Sequence, residues 1–324
     1  LVTYGVLLDA SPEQIEHGIG MFVAHYIPFR AIRAGHQLSD SKGASAALST
    51  EVAIMSLKRA MLGFVGPKDI FRNPEAIFRL FTNTKEFESP FDLWLGMEGN
   101  DFSIMGMHFK LGLYEHQSAG ALQGLIDLIH NNKFVQHNNF DSIEKIKITI
   151  YEPAYGIICD PHKRTPSTRQ SADHSMLYIL STLLRKAIEH PSLYTDVKGT
   201  DCLWKKLMLM PEDYSYNAVN NQKTRALMEK IELEYGGKEY DAKYPDGIPT
   251  TISIKVTNGK DISSGLVMYP AGHARNQEAD LNGILDTKFE KMGKLALHER
   301  DVEKFVGALN TIETLSHKDL RNIY

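Results

Sequence analysis

The hydrophobic period of this chain changes twice along its length, and that change constrains the fold more than any other feature. Near the start, Leu48, Val52, Met55 and Leu62 recur at helical intervals within a run from Ala44 to Leu62, and Gln14 to Tyr26 reads the same way. In the middle the period falls to two. Ile146, Ile148 and Ile150 alternate with polar residues, as do Ile231, Leu233 and Tyr235, and then Ile252, Ile254 and Val256. Past Pro270 the helical spacing returns in Leu281, Leu285, Phe289 and Leu295 to Leu297, with a last helix from Val302 to Ile312. One segment cannot satisfy both periods, so helical ends flank an α+β middle.

Within that middle, His116 to Ile129 puts Ala119, Leu122, Leu125, Ile126 and Ile129 on one helical face, and Met176, Leu180, Leu183, Leu184 and Ala187 form a second stripe. Asn258-Gly259 between two apolar runs is a hairpin signal, leading into Leu266 to Tyr269. The order predicts strand, helix, strand, helix and then several strands, in a largely antiparallel sheet. Gly63 to Pro67 stops the long N-terminal helix, Phe71 to Phe81 reads as a third helix, and the turn at Glu88-Ser89-Pro90 marks a boundary. The predicted class is mainly α with an α+β lid: a helical domain over 1–88, a lid over 89–275, and C-terminal helices over 276–324 that return to the helical domain.

With 324 residues, 43% of them apolar and 23% charged, the chain can bury a sizeable core. Its net charge is -4, and the basic residues are scattered, which speaks against a general nucleic-acid binder. No run approaches the roughly 20 apolar residues of a membrane span, and the first residues lack the order of a signal peptide. Two cysteines, Cys159 and Cys202, are too few for a disulfide scaffold or a cubane iron-sulfur cluster and suit a reducing compartment. No Walker loop, dinucleotide fingerprint or zinc-protease motif occurs, so no cofactor is expected and acid-base side chains are left to carry any chemistry.

Four segments can do so. Ser39 to Ala47 places small residues, with Ser41 and Lys42, at the start of an amphipathic helix, where free N–H groups and Lys42 suit an anion. The same residues equally suit close helix packing with Lys42 in solvent. Lys110 to His116 lies where a strand enters a helix, so Tyr114 and His116 can project from a structured loop; imidazole suits proton transfer near neutral pH. Arg169 to Ser175 opens another helix: Arg169 can pair with a carboxylate and Asp173 can orient His174, although capping explains the segment as well. Tyr269 to Arg275 brings His273 and Arg275 together around a glycine, which turn chemistry alone also allows.

Together these stretches resemble the MmgE/PrpD family, and within it the 2-methylcitrate dehydratases. The resemblance rests on SDSKGASAALSTEVAIMSLKRAMLGFVGPKDIF (Ser39 to Phe71), MHFKLGLYEHQSAGALQG (Met107 to Gly124), RQSADHSMLYI (Arg169 to Ile179) and YPAGHARN (Tyr269 to Asn276). It implies a helical domain with a smaller α+β lid, a homodimer, and elimination of water from 2-methylcitrate to give 2-methyl-cis-aconitate in propionate breakdown, without an iron-sulfur centre. Lys42 and His116 match active-site positions of the family. Catalytic roles are therefore expected of Lys42, His116 and Tyr114, and substrate contacts of Ser41, Lys110, Arg169, Asp173, His174, His273 and Arg275. Decarboxylation of cis-aconitate or epimerisation of a dicarboxylate on the same scaffold is the alternative chemistry, and a non-catalytic binding fragment the alternative of another class. The family also has an N-terminal helical segment that supplies an Asp/His-containing part of the active site, which Leu1 is expected to follow. The resemblance further implies a bacterial cytoplasmic protein, or a mitochondrial matrix protein in a eukaryote, with a small tricarboxylate as its ligand and neither nucleic acid nor membrane as a partner.

Overall fold

The structure is a computed structural model that describes residues 1–27, 37–73, 75–76, 103–132, 135, 140–193, 197–257, 261–316 and 318–319. They fall into two compact units, residues 1–102 and 103–324. The turn at 88–90, most of the helix expected over 71–81 and the Asn258-Gly259 turn lie outside the described residues. Among the described residues no helix is long and apolar enough to cross a membrane.

The first unit contains α1 (Val2–Leu7), α2 (Pro12–Tyr26) and α3 (Asp40–Met61). Ser11 and Gln14 form a reciprocal capping box, and Pro12 occupies the first turn, where its missing N–H costs nothing. α2 packs on α3. Leu57 is fully buried on α3, while His17 of α2 ties to the Gly66 carbonyl at 3.1 Å.

The second unit is an α+β body. Its helices and strands run α4 (Ala119–Asn132), β1 (Ile143–Ile150), α5 (Glu152–Ile158), α6 (Arg169–Ala172), α7 (Met176–Glu189) and α8 (Thr200–Leu207). Then come α9 (Tyr216–Val219), α10 (Gln222–Glu229), β2 (Ile231–Tyr235), α11 (Gly237–Asp241), β3 (Thr250–Val256), β4 (Asp261–Val267), α12 (Leu281–Gly293) and α13 (Glu299–Asn310).

The sheet order is β2-β1-β3-β4. β3 pairs antiparallel with both β1 and β4, as a largely antiparallel sheet requires, but β1 and β2 run parallel, so the sheet is mixed. The reason is the connection: after β1 the chain passes through α5 to α10 before β2 returns in the same direction, a crossover that parallel pairing requires. Alternation reports which face a side chain takes, not which way its strand runs.

Register decides the two faces. Ile146 lies opposite both Ile231 and Ile254, and Ile148 opposite Leu233 and Ile252, giving one continuous apolar face. Lys145 and Lys147 take the other face and pair with Glu232 and Glu234 of β2. α4 covers the apolar face against β3 and β4. It lies close because Gly120 and Gly124 share one side of it: a Cβ at Gly124 would stand 2.7 Å from Ile252 Cγ2. α7, whose Leu180, Leu183 and Leu184 are buried, packs behind α4, and α12 leans on α8 through buried Ile284 and Leu285. Each such leucine contributes roughly 1.5–3 kcal/mol by burial, so this three-layer core holds the loops above it in place.

Candidate active site

Two segments of the second unit build the site. The first, residues 107–118, ends in a 3-10 turn from His116 to Ser118. Glu115 caps that turn: its buried carboxylate accepts from the Gln117 N–H at 2.9 Å and from Ser118 Oγ at 2.6 Å. The second segment, 270–276, is tightly self-bonded, with His273 N–H donating to the Pro270 carbonyl at 2.7 Å and Asn276 N–H to that of His273 at 2.9 Å. Gln123 of α4 anchors it by accepting from Ala271 N–H at 3.0 Å. The two segments meet where Phe109 N–H donates to the Gly272 carbonyl at 2.7 Å. Residue 272 must be glycine there, since a Cβ would fall on the Phe109 carbonyl oxygen.

This junction stacks three imidazoles. The His108 ring lies 5.4 Å from that of His116, 8° from parallel, and 3.9 Å from that of His273 at 22°. Tyr269 closes the far side, 4.9 Å from His273. His108 Nδ1 accepts from Ala274 N–H at 3.2 Å and His273 Nδ1 from Arg275 N–H at 3.1 Å. An Nδ1 that accepts carries no proton, so the neutral rings keep theirs on Nε2, a tautomer inferred from the hydrogen bonds. His273 is only 3% exposed, and its Nε2 has no hydrogen-bond partner among the described residues.

Burial and mutual repulsion hold the stack neutral. Desolvation lowers the His273 pKa, and His108 and His116 push it further, down to about 4. His116 is lowered by burial first, then by His108 and Lys110; His108 is lowered by burial. Near pH 7 the rings are thus uncharged bases that can also donate through Nε2–H, the state that acid-base catalysis needs. Beside them, Lys288 of α12 donates from Nζ to the Lys110 carbonyl at 2.7 Å. Among the described residues no group of three or more His, Cys, Asp or Glu is arranged to hold a metal.

Of the residues singled out in the sequence, the structure brings together His116, His273 and Lys110. His108 and Lys288 were missed, and both belong to the cluster. His108 lies two residues before Lys110, so the pattern His-x-Lys ahead of His116 was the available signal; nothing in the amphipathic reading of 281–297 distinguishes Lys288. Tyr114 is in the core, its hydroxyl oxygen accepting from Leu111 N–H at 2.8 Å, and burial raises its pKa so that the phenolate is disfavoured. Arg275 points its guanidinium to Asp246. Asp173 and His174 pair with each other at the end of α6, and His174 Nδ1 also lies 2.9 Å from the Gln170 carbonyl. Arg169 is exposed on α6. Ser41 and Lys42 stand in the first turn of α3 in the N-terminal unit, where Lys42 N–H donates to the Ser39 carbonyl at 3.1 Å.

A cavity of about 760 Å³ opens beside the 270–276 segment, lined among others by Asp127, Asp201, Glu278, Tyr269 and Arg275. Its acidic balance suits a polyanion poorly, and the imidazoles do not line it. The stack, with its flanking lysines, is therefore the better candidate for chemistry on an anion.

Residues 202–311 match the family model described as MmgE/PrpD C-terminal domain. No curated protein matches the chain. The matched stretch carries His273, Arg275 and Lys288, and so one wall of the imidazole cluster.

Proposed function

We propose that the protein is a hydro-lyase that eliminates water from a hydroxylated polycarboxylate, with 2-methylcitrate as substrate and 2-methyl-cis-aconitate as product. The observation that carries this reading is the stack of three neutral imidazoles, one with a buried, unpartnered Nε2, beside two lysines. The match of residues 202–311 to a family whose members are typically hydro-lyases supports it.

In the proposed reaction a base takes the proton from the carbon next to one carboxylate. The electron pair left behind forms the alkene as the C–O bond breaks, and hydroxide leaves as water after taking a proton from an acid. His116, the half-buried outer ring, is the group assigned to proton exchange, and His273, whose Nε2 is buried, is assigned to support it through His108. Negative charge grows on the carbon and its carboxylate in the transition state, so fixed cations such as Lys110 lower the barrier most. Lys42 and Ser41, which open α3 in the N-terminal unit, are assigned an anion contact of their own, and Arg169 is held in reserve for a carboxylate. The active particle is proposed to be a homodimer, which sedimentation at micromolar concentration checks.

The test is product analysis by NMR after incubating the full chain with 2-methylcitrate. A conjugated alkene with no loss of carbon supports the reading. Carbon dioxide release from cis-aconitate, with no dehydration, replaces it with decarboxylation.

A further inference from the structure

Many described lysines find a carboxylate. On α12 itself Lys294 bridges Glu290 and Glu299, and Lys291, which donates to the Lys205 carbonyl at 2.7 Å, has Lys186 in its field but also Glu212, Asp213 and Glu290. Lys288, one turn from buried Ile284 and so on the same side of the helix, differs. Its Nζ is held at 2.7 Å by the Lys110 carbonyl, and among the described residues no ion pair involves either Lys288 or Lys110. The charged group in its field is another cation, the Lys110 ammonium. Lys110 in turn acts on His116, which stacks on His108 and through it reaches His273.

The result is a row of five groups that can only be neutral or positive, with no acid among them. Burial and the Lys110 charge both lower the Lys288 pKa, so the protein tolerates a cost there that a surface lysine would avoid. A bound carboxylate would remove that cost. An ammonium has three N–H donors, and the Lys110 carbonyl occupies one. Lys288 also sits past Lys110, outside the charges that act on His116, so a carboxylate seated there is not the one beside the reacting carbon.

We propose that Lys288 is a specificity-determining residue of this site: with Lys110 it forms a two-ammonium seat for the carboxylate of a tricarboxylate farthest from the bond being broken, and so selects tricarboxylates over dicarboxylates. This rests on the imidazole stack being the polycarboxylate site. Lys110 lies on the segment that carries His108 and His116, whereas Lys288 comes from a helix that no sequence motif singles out. The seat therefore forms only when α12 docks on the rest of the second unit.

The experiment measures calorimetric binding of propane-1,2,3-tricarboxylate and of glutarate to the full chain and to its Lys288→Gln and Lys288→Arg variants. Neither ligand has a hydroxyl to lose, so binding is read without turnover. Glutamine can still reach toward the Lys110 carbonyl but carries no charge. Lys288→Gln should weaken the tricarboxylate by about tenfold or more, the size of one charge-assisted contact, with about twofold or less change for glutarate. Lys288→Arg should restore most of the difference. Equal weakening of both ligands, or none of either, overturns the proposal. So does a wild-type chain that binds neither. If Lys288→Gln does not fold, Lys288→Met, which keeps the stem that packs along α12, takes its place under the same criteria. A parallel assay of 2-methylcitrate separates the two ideas. Lys288-dependent selectivity without alkene formation retains the seat and removes the hydro-lyase reading, and alkene formation with unchanged selectivity does the reverse.

Discussion

The substitution His273→Phe should remove an acid-sensitive component of stability. The His273 pKa is about 4 in the folded chain, against an ordinary value of 6.5. Between those values the unfolded chain binds a proton at this residue and the folded chain does not, so stability is full above pH 6.5 and falls as pH drops toward 4. At 1.36 kcal/mol per unit, the loss between pH 8 and pH 5 is at most about 2 kcal/mol. His108 and His116 are partly exposed, so solvent screens part of the stack's charge and roughly 1–2 kcal/mol is the working figure. The phenyl group of the variant would keep a flat ring against His108 and Tyr269. It would forfeit the Arg275 N–H bond, about 1 kcal/mol, and relieve the unpartnered Nε2, about 1–3 kcal/mol, so the two chains should be similar or the variant slightly ahead at pH 8. Urea denaturation followed by fluorescence reads this, because Trp204 is buried in the same unit. Groups common to both chains cancel in the difference. At pH 5 the variant should have gained roughly 1–2 kcal/mol on the wild type relative to pH 8. Equal losses in the two chains would refute the neutral, buried assignment of His273.

Gly272→Ala should destabilise the second unit by at least about 2 kcal/mol, because the methyl group has to displace the Phe109 carbonyl on which the two site segments meet, and chemical denaturation with a turnover assay reads both effects. Lys186→Met should cost about 3–5 kcal/mol in the same denaturation assay by stranding the buried Asp213 carboxylate, 2.7 Å from Lys186 Nζ, while Lys186→Met with Asp213→Leu should recover part of it. Lys42→Ala should lower turnover by about 100-fold with the circular dichroism unchanged, and partial rescue by Lys42→Arg would mark an electrostatic role. Near-normal turnover in folded Lys42→Ala would make that lysine a packing or surface residue.

Elements whose burial follows one rule were legible in the sequence. Ile146, Ile148 and Ile150 had to share a face, and the stripe through Leu180, Leu183 and Leu184 had to be a helix, because each period fits one geometry. Strand direction was not legible, since β1 and β2 look alike whichever way they pair and the long crossover between them carries no directional mark. In the site, His116 and His273 stood out because each sits in a short segment punctuated by glycine. His108 and Lys288 did not: they join the cluster through contacts between residues far apart in the chain, His108 at the Ala274 N–H and Lys288 at the Lys110 carbonyl, which no local pattern encodes. Tyr114 shows the converse. Its place beside Glu115 and His116 suggested chemistry, but its ring is buried in the core and its hydroxyl is taken up by the Leu111 N–H, while His116 faces the stack.

The most direct test of the central claim is the dehydration rate of 2-methylcitrate, followed by alkene absorbance, in the wild-type chain, in His116→Asn and in His162→Asn as a control on an exposed turn of the same unit. If the imidazole stack is the acid-base centre, His116→Asn should lose at least about 100-fold in turnover while unfolding at the same urea concentration, and His162→Asn should keep its rate. A folded His116→Asn that dehydrates 2-methylcitrate at the wild-type rate would contradict the account.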